Sequence, residues 1–202
     1  MIESPDTYYT IADESQASIR EKASKFMAFA FPVESDQEVK NHLDSLRKSF
    51  HSANHHCYAY RIGHPEAPVF RYNDDGEPSG SAGKPIYGQL LSRQLSDTLV
   101  VVIRYFGGTK LGIPGLIQAY KTAAAESLNQ NRIILKTLCD RFTISFPVRQ
   151  MNKVMRIMKL EEAEILSQDF DEQYMIHFSV RKSRSDLIRT KLMSCTNISI
   201  FE

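Results

Sequence analysis

Apolar and polar positions in the first part of the chain predict strands and one amphipathic helix. Residues 24–32 carry phenylalanines at positions 26, 29 and 31 and end at Pro32, which is typical of a strand. We expect this strand to pair with residues 17–22. In residues 37–50 apolar side chains recur at spacings of four, three and four, which predicts a helix that Ser35 or Asp36 would cap.

Two further segments of this half have a clear strand pattern. Residues 55–62 predict a strand with Cys57 and Ala59 on one face and tyrosines on the other. Residues 98–103 are almost entirely β-branched and lack polar alternation, so we expect a central strand that is covered on both faces. After Gly115, apolar residues again recur at helical spacing, which gives the order strand, glycine loop, helix.

Beyond Lys136 the pattern starts again and predicts a βαββαβ unit. Strands are expected at residues 142–146, 164–170, 174–181 and 197–201, with helices at 148–158 and 185–193. This order over some 65 residues matches a ferredoxin-like sandwich. The predicted fold class is α+β, with a first domain at residues 1–137 and a second at 138–202.

Glycine is confined to one part of the chain. All nine glycines lie between Gly63 and Gly115, and seven of them form two clusters, within residues 74–85 and 104–115. Glycine is kept where the backbone needs a positive φ or a close approach, so these loops are the best candidates for a working surface. The residues proposed to contact phosphate or a partner, or to shape the loops for that contact, are Lys84, Arg104, Lys110, Gly80, Gly83, Gly107, Gly108 and Gly112.

The candidate loops leave several interpretations open. The second cluster lies between a buried strand and a helix, which favours anion binding, but it matches neither standard glycine-rich phosphate motif, and Pro114 removes one donor. Tight-turn packing is the favoured explanation of these glycines, and anion binding is the alternative. Asp74, Asp75 and Glu77 form either a simple turn or an acidic loop that docks a partner.

Composition and charge narrow the class of protein. A net charge of +1, with 15 basic and 15 acidic residues up to position 137 and 10 and 9 after it, excludes a generally basic domain. No apolar run is long enough for a membrane helix, and no secretory pattern begins the chain, so a cytoplasmic location is expected. The three cysteines are scattered and the histidines near Cys57 alternate in face, so the sequence predicts no metal and no cofactor.

Basic residues in the second half have two interpretations. Arg149, Lys153, Arg156 and Lys159 recur at helical spacing, and residues 181–184 form another basic cluster. Both sets could contact a phosphate backbone. Glutamates follow directly at positions 161, 162 and 164, which favours a solvated helix face instead.

Three segments of the first half resemble the IMPACT/YigZ family in the same order. They are residues 54–61, 72–85 and 102–112, and the resemblance runs from about residue 15 to 130, with a small second domain like that of bacterial members. It implies a first domain shaped like the second domain of a small-subunit ribosomal protein and a second domain resembling an elongation-factor module. The family supplies no catalytic residues, and Pro114 stands where the family commonly has a glycine.

The resemblance implies a non-enzymatic binding protein in translation or RNA biology, because eukaryotic relatives are translational regulators. RNA or a ribosome-associated protein is the expected partner, and no membrane is involved. An enzyme or binder of a phosphorylated small molecule or nucleotide is the alternative, because the ribosomal-protein fold is shared with small-molecule kinases. A protein-binding module using the acidic loop is the third interpretation.

Overall fold

The computed structural model describes residues 6–201, which form two compact units. The first unit comprises residues 8–136, and the second comprises Asp6, Thr7 and residues 137–201. Each unit has its own buried core. In the described range no helix is both long and apolar enough to cross a membrane.

The first unit combines a five-stranded sheet with three helices. The sheet order is β2-β3-β6-β4-β5 and every pairing in it is antiparallel, while β1 and β7 form a separate pair. The elements are β1 (Thr7–Ile11), β2 (Ser15–Glu21), β3 (Ser24–Pro32), α1 (Asp36–Ser49), β4 (His55–Ile62), β5 (Val69–Asn73), α2 (Gly83–Ser92), β6 (Thr98–Tyr105), α3 (Gly112–Asn129) and β7 (Ile133–Thr137).

Strand β6 occupies the centre of this sheet, and its apolar run is explained by two cores. Val100 and Val102 belong to the core that also contains residues of α2 and α3. Leu99 and Val101 belong to the core with α1 on the opposite face. The prediction of a central strand covered on both faces is therefore confirmed, as is the split of Cys57 and its neighbours between the faces of β4.

Helix α1 forms where the apolar spacing predicts it. The Ser35 hydroxyl accepts a hydrogen bond from the Glu38 amide at 3.3 Å, which identifies Ser35 as the N-cap. Val39, Leu43 and Leu46 are the buried face. A three- and four-residue repeat places these side chains on one side of the helix, toward the sheet.

The second unit is a ferredoxin-like βαββαβ sandwich. Its antiparallel sheet has the order β11-β8-β10-β9, and its two helices and strands enclose one apolar core. The elements are β8 (Cys139–Phe146), α4 (Met151–Leu160), β9 (Glu164–Phe170), β10 (Tyr174–Arg181), α5 (Ser185–Met193) and β11 (Ser199–Phe201).

Four elements of the first unit were not predicted: β1, β5, α2 and β7. Helix α2 begins at Gly83, inside the first glycine cluster, where the sequence suggests only a loop. Pro85 is compatible with this helix because it lies in the first turn, where its missing N–H has no helical acceptor. The glycines around its start gave no local signal for a helix. Its formation depends on the tertiary packing of Ile86 and Leu90.

Candidate functional site

The two glycine clusters face each other across an open cleft of the first unit. Its cavity volume is about 380 Å³, and its surface is mostly apolar. Glu77 and Pro78 line it from the first glycine loop (residues 74–83). Arg104, Phe106 and residues 110–113 line it from β6 and from the second glycine loop (residues 106–112). Packing thus joins two loops that are about 30 positions apart in sequence.

An ion pair at the floor of the cleft joins the first glycine loop to β6. Arg104 Nη1 donates to Glu77 Oε1 at 2.6 Å, and both residues are buried. The Tyr120 hydroxyl of α3 donates to the same Oε1 at 2.7 Å. The sequence predicts Arg104 as a phosphate contact, but its side chain is only 5% exposed. In the structure it supports the cleft from below through its ion pair with Glu77.

The Asp74 carboxylate accepts hydrogen bonds from three backbone amides of the first glycine loop. Its Oδ2 accepts from the Gly80 amide at 2.8 Å, and its Oδ1 accepts from the amides of Ala82 at 3.0 Å and Gly83 at 2.8 Å. These amides lead into α2, where a negative charge is favoured by the helix dipole. The amides of Gly80 and Gly83, two glycines predicted to shape a phosphate or partner contact, therefore bind the chain's own carboxylate.

Asp75 also turns toward the protein. Its Oδ2 accepts from the His56 amide at 2.6 Å, and its carbonyl oxygen lies 2.7 Å from His55 Nδ1. The Asp75 backbone has φ +42°. Asp74, Asp75 and Glu77, predicted as a partner-binding loop, thus direct carboxylate oxygens into hydrogen bonds and the ion pair of the same unit.

Glycines of the second loop permit a close approach of two backbones. A Cβ at Gly107 would lie 1.9 Å from the Ala23 carbonyl oxygen, so only glycine fits there without a shift. Gly108 has φ +87°, a backbone conformation that residues other than glycine rarely adopt. Gly107 therefore packs the loop against the β2–β3 turn, and the tight-turn interpretation explains this position.

The two predicted lysines lie in different places. Lys110 is exposed and lines the cleft beside Gly112, the first residue of α3. Lys84 is exposed in the first turn of α2 and is not part of the cleft lining. Of the two lysines, therefore, only Lys110 lines the cleft.

Sequence reasoning missed two apolar residues at the mouth of the cleft. Phe106 is 44% exposed and Ile113 is 54% exposed. Arg104 lies behind the Phe106 ring, with its guanidinium carbon 5.4 Å from the ring centroid. The available signal was an aromatic residue directly before two glycines, a context with few neighbours to bury it.

Beneath the first loop, the Cys57 thiol donates to the Asp74 carbonyl oxygen at 3.0 Å and lies 3.3 Å from the Tyr120 hydroxyl. Burial raises the pKa of Cys57 and also the pKa of Tyr120. The thiol therefore stays protonated at neutral pH and acts here as a packed hydrogen-bond donor. Over residues 6–201, no cluster of three or more His, Cys, Asp or Glu side chains could hold a metal ion.

The geometry defines a two-unit α+β protein with a ribosomal-protein-domain-2-like first unit, a ferredoxin-like second unit and a cleft between two glycine loops. The Impact N-terminal domain family matches residues 22–128. The chain therefore belongs to the IMPACT family. The matched segment contains both glycine loops and all of the cleft lining.

Relatives of known name extend this similarity beyond the first unit. The chain is 34% identical to IMPACT family member YvyE of Bacillus subtilis over 86% of this chain and 76% of the relative. It is 27% identical to IMPACT family member YigZ of Escherichia coli over 85% of this chain and 84% of the relative. A crystal structure of a hypothetical protein has a similar fold, with a TM-score of 0.71 at 24% identity and 97% coverage of both chains.

Proposed function

We propose that this protein binds single-stranded RNA in the cleft between its glycine loops and regulates translation without catalysing a reaction. The observation that carries the proposal is an exposed aromatic ring, Phe106, beside the exposed Lys110 at the mouth of the cleft. Single-stranded nucleic acids are bound by this combination of stacking surfaces and cations.

Phe106 supplies the stacking surface. A base that stacks on this ring loses water from the face that contacts it, and the apolar side chains of Ile113 and Leu116 extend the contact surface. Arg104 fixes the ring from behind and adds a cation–π contact at 5.4 Å. Because every base has a π face, this contact tolerates any sequence.

Lys110 and the beginning of α3 supply the phosphate contact. In the part of the chain that the structure describes, no side chain caps the first turn of this helix. Its amides and its dipole favour an anion, although Pro114 removes one donor. Lys110 adds a full positive charge at the same edge of the cleft.

Family membership supports the translational part of the proposal, because the resemblance that the sequence carries is to translational regulators. The chain matches that family across both glycine loops. We infer that RNA bound in the cleft links the protein to the translation machinery. The cytoplasm is the compartment in which this role would be exercised.

The test is fluorescence anisotropy with a labelled oligouridylate. Phe106→Ala should weaken binding at least about fivefold, because stacking is worth about 1–3 kcal/mol per base. Phe201→Ala is the matched control, since Phe201 is 54% exposed and lies in the second unit. Equal affinities of the two variants would contradict RNA binding in the cleft.

The cavity volume also favours a second candidate, a phosphorylated small molecule or nucleotide. A volume of about 380 Å³ lies within the range of small-molecule sites, about 300–1,000 Å³. Competition distinguishes the two candidates. A mononucleotide that displaces the oligouridylate at concentrations near the Kd of the oligouridylate, or that copurifies with the protein and is turned over, would favour the second.

A further inference from the structure

Helix α4 of the second unit displays a row of four basic side chains. Arg149 lies in the 3-10 turn directly before the helix, and Lys153, Arg156 and Lys159 follow within it. All four are exposed. Spacings of four, three and three keep them on one side of the helix, over about 15 Å at a rise of about 1.5 Å per residue.

The buried face of α4 is separate from this row. Val154, Ile157 and Met158 pack into the core of the second unit. The basic side chains therefore project from the opposite side, and folding of the unit does not require them. Residues 148–160 contain no aspartate or glutamate.

The glutamates that follow α4 are engaged elsewhere. Glu161 is buried and pairs with Lys191, while Glu162 lies 3.4 Å from Arg184 Nη2. Glu164 accepts from the Ser179 hydroxyl at 3.4 Å. Among residues 6–201, no acidic side chain pairs with any of the four members of the row. The row is therefore solvated, as a polar helix face would be, but the glutamates that follow it do not neutralise its charge.

The row is unfavourable for the helix itself. Like charges three or four residues apart repel each other, and Arg149 and Lys153 lie near the N-terminal, positive end of the helix dipole. The first turn carries no acidic residue that would offset this arrangement. An unbalanced cationic row of this kind complements a repeating anion.

We propose that the basic row of α4 is a nucleic-acid contact surface that binds the phosphate backbone without reading sequence. The surface does not depend on the cleft, since it needs no unpaired base. An anionic membrane is disfavoured because the apolar face of α4, formed by Val154, Ile157 and Met158, is buried in the core of the second unit and cannot insert into lipid. The exposed apolar residues of this segment are Val148, Met155 and Leu160.

The experiment measures binding of the full chain to an RNA duplex at several salt concentrations. A duplex offers no unpaired base to Phe106, so it reports on backbone contacts alone. Lys153→Gln/Arg156→Gln/Lys159→Gln should make the negative slope of log K against log salt shallower by about two to three. The same variant should reduce affinity at low salt at least about tenfold. The matched control is Lys40→Gln/Arg47→Gln/Lys48→Gln, which removes the same charge from the exposed side of α1.

The outcomes separate the row from net charge and from the cleft. A loss confined to the α4 variant, with an unchanged or raised Tm, supports the proposal. Equal losses in both triple variants, or no loss in either, overturn it, as does an α4 variant that loses only binding to anionic vesicles. Phe106→Ala acts on single strands and not on duplexes, so failure of the cleft proposal would leave this result intact.

Discussion

The two glycine loops of the first unit both lead into the N-terminus of a helix. They differ in whether a side chain accepts hydrogen bonds from the backbone amides at that N-terminus. At the first loop, the Asp74 carboxylate accepts from three backbone amides at the start of α2. At the second loop, no side-chain hydrogen bond caps the first turn of α3 within the described residues. The first loop is closed by its own anion, whereas the second is open beside Lys110 and Phe106.

The difference shows that glycine content does not by itself define a binding site. Both loops use glycine to place the backbone, with Gly80 at φ +74° and Gly108 at φ +87°. A carboxylate within reach makes one loop a structural element. No such group caps the first turn of α3 among the described residues, and this difference is the basis for proposing the second loop as the binding site.

The largest effect is expected from breaking the ion pair between the first glycine loop and β6. Glu77→Ala leaves Arg104 buried without its counter-ion, at a cost of about 3–5 kcal/mol in the free energy of unfolding. Urea denaturation followed by circular dichroism measures the change. Glu66→Ala, an exposed substitution elsewhere in the unit, is the control, and a similar small loss in both variants would contradict the role of the pair.

Removing the internal anion tests whether the first loop is closed. Asp74→Ala leaves three amides without their acceptor and should destabilise the first unit by about 2–3 kcal/mol. Asp74→Asn, which keeps one acceptor oxygen, should lose less. If Asp74→Ala unfolds at the parental urea concentration, then solvent satisfies these amides and the comparison between the loops fails.

Charge reversal at the two lysines compares the loops directly. Lys110→Glu should weaken oligouridylate binding about tenfold at low salt, whereas Lys84→Glu should change it by less than about twofold. Both variants alter net charge equally, so each serves as the control for the other. A larger effect at Lys84 would move the binding surface onto α2.

The smallest expected effect is a pH dependence of stability that comes from His56, beneath the first glycine loop. Burial lowers the pKa of His56 below its usual value near 6.5, although Asp75 opposes the shift. The unfolded chain then binds the proton more readily, so stability is full above about pH 6.5 and falls as pH drops toward the folded pKa. His56→Gln should flatten this decline in urea denaturation between about pH 7 and 5, and an unchanged slope would assign the decline to other groups.

Local patterns predicted most of the regular elements. The bounds of β3, β4, β10 and α5 follow directly from alternation, helical spacing and punctuation by proline, because these signals are carried within each segment. Elements with weak local signals were missed. Strand β5 is short and exposed along one edge of the sheet, and α2 begins among glycines.

The candidate site was predicted only in outline. Sequence alone pointed to the two glycine clusters and to Lys110, since glycine and charge in a loop are visible without coordinates. It did not reveal that Phe106 is the exposed ring at the mouth of the cleft. Exposure of an apolar residue depends on which neighbours arrive, and those neighbours come from distant parts of the chain.

The amino-acid sequence by itself determined the order of strands and helices in the second unit, the central position of β6 and the capped helix α1, because near-neighbour spacing encodes which side of an element is apolar. Only the tertiary structure decided the partners of the charged residues. Asp74 turned to the amides of α2, Arg104 to Glu77, and Glu161 to Lys191. The sign of each charge is known from the sequence, but its partner depends on the packing that brings separate segments together.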